Sequence, residues 1–276
     1  MADPRAASRG TNFALAFRAL PPDQRDAIRA VHAFSREVDD SVDEEPDPGK
    51  AREEIRRWRG EVAACYEGEP REPAARALRP HLVRFHIPRV YLDELLSGVE
   101  MDLTQLRYGT FEELRRYCYR VAGVVGLICL RIFGDQEERG RAYAENLGLA
   151  LQLTNILRDI GSDLKRGRIY LPLADLRSCG YSVDDLARGE RNPAFRDLMR
   201  FQAERARGFF DAAEREAATL DRKRILAAQI MGRIYRRLLD RIESSGYDVF
   251  HREIRVPFHE RAWIAGSSIL SAHAPR

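Results

Sequence analysis

The sequence predicts an all-α protein that folds as a single domain. Apolar residues recur at three- and four-residue steps through most of the 276 residues, which is the spacing of one face of a helix. The alternating pattern of a β-strand is almost absent, and no repeat or low-complexity linker divides the chain. Because 44% of the residues are hydrophobic, the chain is able to bury one large core.

Turn-forming segments set the limits of the predicted helices. The first helix should end before Pro46, since a proline disfavours helical geometry at the preceding residue. Four punctuated loops separate later helices: 44–50, 67–73, 134–140 and 187–193. The stretch 167–183 is the least regular internal segment, and long loops in compact domains are often functional. The predicted helices span 22–44, 50–66, 73–85, 88–106, 110–133, 138–165, 193–218 and 222–245.

Composition and the chain ends exclude several classes of protein. With 46 basic and 43 acidic residues the chain shows no nucleic-acid footprint, while a pI near 8.7 allows contact with an anionic membrane surface. Four dispersed cysteines indicate reduced thiols and no zinc site. The longest apolar stretch, 121–130, is too short to span a bilayer. We therefore expect a cytoplasmic protein that is peripheral to the membrane at most, with a flexible tail at 1–10 and a domain at 11–276.

An acidic stripe runs along the first predicted helix. Ile28, Val31, Ser35, Val38 and Val42 form its mostly apolar face, and the neighbouring face carries His32, Arg36, Asp39, Asp40 and Asp43. Carboxylates near a helix C-terminus are destabilised by the helix dipole and by one another, so a positive partner is expected. Taken alone, the run is also typical of a solvated helix end.

The helix predicted at 138–165 repeats this design. Its apolar face is followed by a second stripe of small, amide and acidic side chains: Gly148, Gln152, Asn155, Asp159 and Asp163. Arg158 lies beside Asp159, much as Arg36 lies one turn before Asp39. Paired carboxylates supply the hard oxygen ligands of Mg²⁺, which is commonly shared with substrate phosphates, and arginine contacts phosphate directly. Two such stripes indicate metal-assisted capture of a diphosphate, with a surface salt-bridge array as the alternative.

The helix predicted between these two, 110–133, is rich in small residues. Ala122, Gly123 and Gly126 allow either close helix packing or an open cavity wall, and the sequence favours neither. Tyr117 is either a core aromatic or a hydroxyl that reaches the cavity. His32 is likewise structural or catalytic.

Three motifs resemble the squalene/phytoene synthase family: REVDDSVDE (36–44), YCYRVAGVVG (117–126) and LQLTNILRDIGSDLKRGRIYLP (151–172). Shorter matches lie at GVEMDL (98–103) and SGYDVF (245–250), and the likeness covers essentially the whole chain. It is closest to bacterial enzymes of the hopanoid-associated presqualene diphosphate synthase and phytoene synthase type. The resemblance implies an all-α isoprenoid-synthase bundle around a central apolar cavity.

The resemblance also implies roles for individual residues. It implies metal binding by Asp39, Asp40, Asp43, Asn155, Asp159 and Asp163. It implies diphosphate contacts by Arg36, Arg158, Arg168, Asn155, Gln152 and Tyr247. Tyr117 would orient or stabilise the reacting centre, and the remaining cavity residues would be His32, Asp102, Ala122, Gly123 and Gly126. Two departures from the family pattern are His32, where relatives commonly carry tyrosine, and TNF (11–13), which replaces a serine-rich segment.

The implied reaction joins two prenyl diphosphates head to head with Mg²⁺, or Mn²⁺, as cofactor. We expect two farnesyl (C15) diphosphates to give presqualene diphosphate, with NADPH needed only if the reaction continues to squalene. The alternatives are a phytoene synthase that uses geranylgeranyl (C20) diphosphate and a non-catalytic helical assembly factor of the same fold. The expected partners are prenyl diphosphates and a membrane surface that takes up lipid product, and the oligomeric state is left open.

Overall fold

The protein was analysed as a computed structural model that describes residues 20–43, 45, 47–135 and 139–273. Twelve α-helices occupy these residues: α1 Pro22–Asp43, α2 Pro48–Glu67, α3 Pro73–Arg84, α4 Arg89–Thr104, α5 Phe111–Cys118, α6 Val124–Ile132, α7 Arg141–Lys165, α8 Leu173–Ser178, α9 Val183–Ala187, α10 Pro193–Ala217, α11 Leu226–Ser244 and α12 Phe258–His273. Within the described ranges no strand forms, and one parallel bridge pairs Arg107 with Ile169. The all-α prediction is confirmed. The predicted tail (1–10) and the TNF segment (11–13) lie outside the described residues.

Local signals explain where the long helices begin. Proline occupies a first-turn position in α2, α3 and α10, where its missing N–H costs nothing. Asp47 caps α2 by accepting a hydrogen bond from the Gly49 N–H at 2.7 Å, and Asn192 caps α10 by accepting one from Phe195 at 3.0 Å.

The eight predicted helices all form, and the structure adds a π-helical turn and three further helices. The helix predicted at 110–133 contains a π-helical turn, Tyr119–Gly123, between α5 and α6. Three helices were not predicted. The short α8 and α9 lie in or just beyond the irregular 167–183 stretch, and α12 carries apolar residues on more than one side.

The central helix α7 packs against α10, α6, α11 and the π turn. Small residues bring the backbone of α7 into contact with that of α6 and the π turn before it. A Cβ added to Gly126 would lie 2.8 Å from the Ala144 carbonyl oxygen, and a Cβ added to Gly148 would lie 2.8 Å from the Ala122 carbonyl oxygen. Residue 122 meets residue 148, whereas the later residue 126 meets the earlier residue 144, so α6 and α7 are antiparallel. The small residues therefore serve close packing, and all four of them also line a cavity.

Candidate active site

An apolar cavity of about 270 Å³ lies between α1, α6, α7 and α11. Its walls include Ile28 and Val31 from the predicted apolar face of α1. On α7 they are formed by Leu147 and Leu151, which lie outside the apolar face predicted for that helix, Leu149, Leu153, Ile156, Ile160 and Leu164. The predicted cavity residues His32, Ala122 and Gly126 line it. Gly123 was also predicted there but does not line the cavity. It lies at the contact with α7, since a Cβ added to Gly148 would lie 2.9 Å from the Gly123 Cα. Burial, followed by the charge of Arg36, lowers the pKa of His32, so its ring is kept neutral at the cavity wall.

The two ends of the cavity differ in chemistry. Polar side chains gather at one end: Arg36, Asp39, Gln152, Asn155 and Tyr235. Bulky apolar and aromatic side chains close the other end: Leu130, Phe133 and Tyr143. The antiparallel arrangement of α6 and α7 accounts for this, because the start of α7 lies beside the end of α6. The cavity therefore suits a ligand with an anionic head and a hydrocarbon tail.

The acidic stripes of α1 and α7 carry unusually basic carboxylates at the polar end. Burial, and then repulsion from Asp102, Asp43 and Asp40, raises the pKa of Asp39 to about 7. Burial, and then repulsion from Asp159, raises the pKa of Asp163 to about 7. Burial is the larger cause of both shifts, and repulsion among the acidic groups adds to it.

Arginines bridge the two stripes. The Arg168 guanidinium donates to Asp43 at 2.7 Å, and Arg166 donates to the same carboxylate at 3.1 Å. Arg158 makes a two-point contact with Asp159, donating from Nε at 2.7 Å and from Nη2 at 2.5 Å. It also forms a hydrogen bond with the Tyr235 hydroxyl. Arg36 pairs loosely with Asp40, at 3.4 Å. Arg158 and Arg168 are therefore each paired with an aspartate of the acidic stripes.

The polar end also suits a divalent cation that is shared with a ligand. In the described ranges, no three His, Cys, Asp or Glu side chains form a ready-made metal cage. Asn155 Oδ1 is nevertheless buried without a hydrogen-bond partner, and the Asn155 amide reaches Gln152 only at 3.4 Å. Magnesium is commonly held by one or two carboxylates together with substrate phosphates. An unsatisfied amide oxygen between two groups of carboxylates fits that mode of binding.

A carboxylate and two tyrosines form a buried network next to the acidic stripes. Tyr170 donates to Asp102 Oδ1 at 2.7 Å, and Tyr117 donates to Asp102 Oδ2 at 3.0 Å. The ring of Tyr170 stacks against those of Tyr117 and Tyr108, and the rings of Tyr108 and Tyr117 meet at a tilt of 46°. Burial raises the pKa of Asp102, while the charge of Arg168 and the two tyrosine hydroxyls oppose that shift. The hydroxyl of Tyr117 is thereby fixed at one position by its partners.

Sequence reasoning missed three residues of this site and misplaced one. Tyr235, Tyr170 and Arg166 were not predicted. The last two lie inside the RDIGSDLKRGRIYLP motif and could have been found there, whereas Tyr235 looks like one more member of an apolar helix face. The structure does not bring Tyr247 to the predicted diphosphate position. The charged groups that act on its hydroxyl are Glu243, Arg200, Glu204 and Arg207, on α10 and α11.

Comparison with known proteins identifies the family. A family model described as squalene/phytoene synthase matches residues 6–260. The chain belongs to the squalene/phytoene synthase family. It is therefore an enzyme that transfers prenyl groups, and the assembly-factor alternative is excluded.

Relatives in this family point to two related chemistries. The chain is 39% identical over 260 residues to a phytoene synthase of Arthrospira platensis, an alignment that covers 89% of this chain and 84% of the relative. It is 38% identical over 257 residues to a 15-cis-phytoene synthase of Synechocystis, covering 89% and 76%. Among solved structures, a dehydrosqualene synthase superposes with a TM-score of 0.85 at 26% identity, over 98% of this chain and 99% of that one. The squalene synthase HpnC of Alicyclobacillus acidocaldarius superposes with a TM-score of 0.80 at 28% identity, covering 88% and 93%.

Proposed function

We propose that this member of the squalene/phytoene synthase family condenses two farnesyl diphosphates head to head and forms presqualene diphosphate. The observation that carries the proposal is the polarity of the cavity, which has Arg36, Asp39, Gln152 and Asn155 at one end and an apolar wall at the other. The Arg158–Asp159 and Arg168–Asp43 pairs lie on the same two acidic stripes, outside the cavity lining. A prenyl diphosphate has the same polarity along its length.

The polar end would bind and activate the diphosphate. Asp39, Asp43, Asp159 and Asp163 would hold Mg²⁺, with Asn155 Oδ1 as a further ligand, and Asp40 would contribute charge. When bound, the metal neutralises diphosphate oxygens and so makes the group easier to expel. Arg158 and Arg168 would exchange their present aspartate partners for phosphate oxygens as the carboxylates turn to the metal. Arg36 and Gln152 would complete the anion-binding surface.

The apolar part of the cavity would protect the allylic cation left on the donor. The C2=C3 bond of the second substrate attacks C1 of that cation, and loss of one proton closes a cyclopropane ring. Water is excluded by the aliphatic walls, which prevents capture of the cation. Tyr117, held by Asp102, would orient the reacting centre, and the released diphosphate would accept the proton.

The size of the cavity favours the C15 substrate. Ligand pockets usually measure about 300–1,000 Å³, and this cavity of about 270 Å³ lies just below that range. Synthesis of phytoene from C20 diphosphates is the second candidate, and the 38–39% identity to phytoene synthases favours it. We propose that NADPH is required only if the enzyme carries the reaction on to squalene.

We further propose a cytoplasmic enzyme that touches the membrane, since its product is a lipid. In the described part of the chain, none of the helices is long and apolar enough to cross a bilayer. Helix α12 nevertheless exposes Phe258, Trp263 and Leu270, which are 65%, 74% and 76% accessible. Amphipathic aromatic side chains of this kind favour the membrane interface.

Product analysis tests the reaction. Purified protein is incubated with Mg²⁺ and with farnesyl or geranylgeranyl diphosphate, in the presence and absence of NADPH, and products are identified by mass spectrometry. We expect a C30 product from farnesyl diphosphate and at least a 1,000-fold loss of rate, about 4 kcal/mol, in Asp39→Ala and in Asp159→Ala. Glu37→Gln, an exposed neighbour on α1, is the matched control. Exclusive C40 product would establish the phytoene alternative, and turnover of neither substrate would refute both.

A further inference from the structure

Two side chains at the closed end of the cavity also face a second space. Leu130 and Phe133 line the central cavity on one side and a surface depression of about 400 Å³ on the other. The depression is also lined by Gly134, Leu220 and Ile225 and, toward its polar part, by Thr219, Asp135, Arg139, Asp221 and Arg224. Because the same side chains contact both spaces, the wall between the two is one side chain thick.

The fold holds both side chains firmly. Phe133 follows the last residue of α6 and is 5% exposed, and Gly134 then turns the chain with a φ of +93°. Leu130 is 3% exposed and packs against Gly140. A Cβ added to that glycine would lie 3.0 Å from Leu130 Cδ2. Neither side chain can swing aside without disturbing its neighbours, so this wall is a fixed boundary.

The boundary lies where the tail of a bound substrate would end. The diphosphate would be held by the carboxylates and arginines at the opposite end of the cavity, so the hydrocarbon chain must extend toward Phe133. A chain longer than the cavity would meet this ring before its head group reached the arginines.

We propose that Phe133, supported by Leu130, is the residue that limits the length of the prenyl chain accepted by the enzyme. Removing the ring joins the cavity to the depression beyond it and gives room for one further isoprene unit. The inference rests on the proposed function only in taking the ligand of this cavity to be a prenyl diphosphate.

The test compares chain lengths in a matched pair of variants. Wild type, Phe133→Ala and Leu151→Ala are assayed with C10, C15, C20 and C25 prenyl diphosphates, and kcat/KM is measured for each. Leu151 lines the same cavity on the side wall and does not border the depression. The readout is kcat/KM for the next longer chain divided by kcat/KM for the wild-type substrate. In Phe133→Ala we expect this ratio to rise at least tenfold, which is the discrimination that a few methylene groups supply in an apolar pocket. Leu151→Ala should leave that ratio within a factor of three.

The outcomes separate this inference from the proposed function. An unchanged chain-length ratio in an active Phe133→Ala enzyme, or an equal rise in Leu151→Ala, overturns the role of Phe133 and leaves the reaction intact. A wild type that prefers C20 overturns the C15 proposal, and the same comparison is then made between C20 and C25. If the alanine variant does not fold, Phe133→Leu, which keeps most of the packing, gives the same readout, with an expected rise that is smaller than tenfold but larger than any change in Leu151→Ala.

Discussion

At the scale of single residues, the site is defined by polar groups whose partners are not yet complete. Asp39 and Asp163 carry pKa values near 7, and Asn155 Oδ1 is buried without a partner. Groups held in this way cost stability in the absence of a ligand and favour its binding. The same residues that prepare the site for a metal–diphosphate therefore destabilise the empty protein.

Replacing Asp39 should stabilise the metal-free enzyme while removing its activity. The pKa of Asp39 rises from 3.8 to about 7 on folding, so the native state binds a proton more tightly than the unfolded chain. Stability must then fall as the pH rises from about 4 to 7. Urea unfolding in EDTA should show Asp39→Asn to be more stable than wild type at pH 8 and nearly equal to it at pH 4. Glu37→Gln should show no such dependence on pH, and an Asp39→Asn stability below that of wild type at pH 8 would contradict the prediction.

Tyr170 should matter for rate through its hydrogen bond to Asp102. Tyr170→Phe removes a 2.7 Å donor to a buried carboxylate, a bond worth about 1.5–3 kcal/mol. Because Asp102 also fixes the Tyr117 hydroxyl, we expect kcat to fall about tenfold or more, with KM changed less than threefold. Tyr181→Phe is the matched control, since it removes a 2.8 Å bond to the Glu190 carbonyl away from the cavity. That variant should lose about 1 kcal/mol of stability and keep its kcat, and equal kinetics in the two variants would rule out a positioning role for Tyr170.

At the scale of elements, the antiparallel contact between α6 and α7 determines the shape of the cavity. Ala122 and Gly126 on one helix and Ala144 and Gly148 on the other bring two backbones together, and the space left beside them becomes the cavity wall. The π turn at Tyr119–Gly123 lies at the start of this contact. Such turns often occur at functional sites, because one extra residue changes which side chains face inward.

A methyl group added at this contact should be costly. In Gly148→Ala the new Cβ would lie 2.8–2.9 Å from the Ala122 carbonyl group, so the helices must separate. Overpacking of this kind costs about 1–3 kcal/mol. Gly208→Ala on α10, where nothing lies within 4 Å of the new Cβ, should instead stabilise the protein by about 0.5–1 kcal/mol. Chemical unfolding of the two variants measures the difference, and a stabilised Gly148→Ala would show that the contact is looser than described.

Elements with a strong local pattern were predictable from the sequence, and those that depend on distant contacts were not. The stripes on α1 and α7 were found because apolar periodicity and charge lie on one continuous helix. Helix α9 was missed because five residues carry too little periodicity, although Ser182 and Asp185 form a capping box. Tyr235 was missed because only packing against α7 shows that its hydroxyl reaches Arg158. Tyr247 was misplaced because a motif match carries no information on the position of its side chain.

At the scale of the whole molecule, charge and lipophilicity are segregated along one axis. Arg36, Asp39, Gln152 and Asn155 lie at one end of the cavity, aliphatic side chains line its length, and Phe133 lies at the other end. Helix α12 packs on α11, which lines the cavity, and turns a second apolar face outward. The cavity thus lies within one helical layer of the exposed apolar side chains of α12.

Membrane binding should depend on α12. The helix spans about 24 Å at 1.5 Å per residue and is apolar on more than one side, so it can lie in the interface while still packed on α11. Replacing Trp263 and Leu270 by Ser removes two side chains that are 74% and 76% exposed. Cosedimentation with vesicles that contain anionic phospholipid should then fall at least fivefold, with turnover of detergent-dispersed substrate unchanged. Val83→Ser with Val90→Ser, which are 68% and 54% exposed, removes apolar surface from α3 and α4 and should leave vesicle binding as it is. Equal losses in both double variants would mean that attraction is nonspecific, and no loss in either would show that α12 does not contact the membrane.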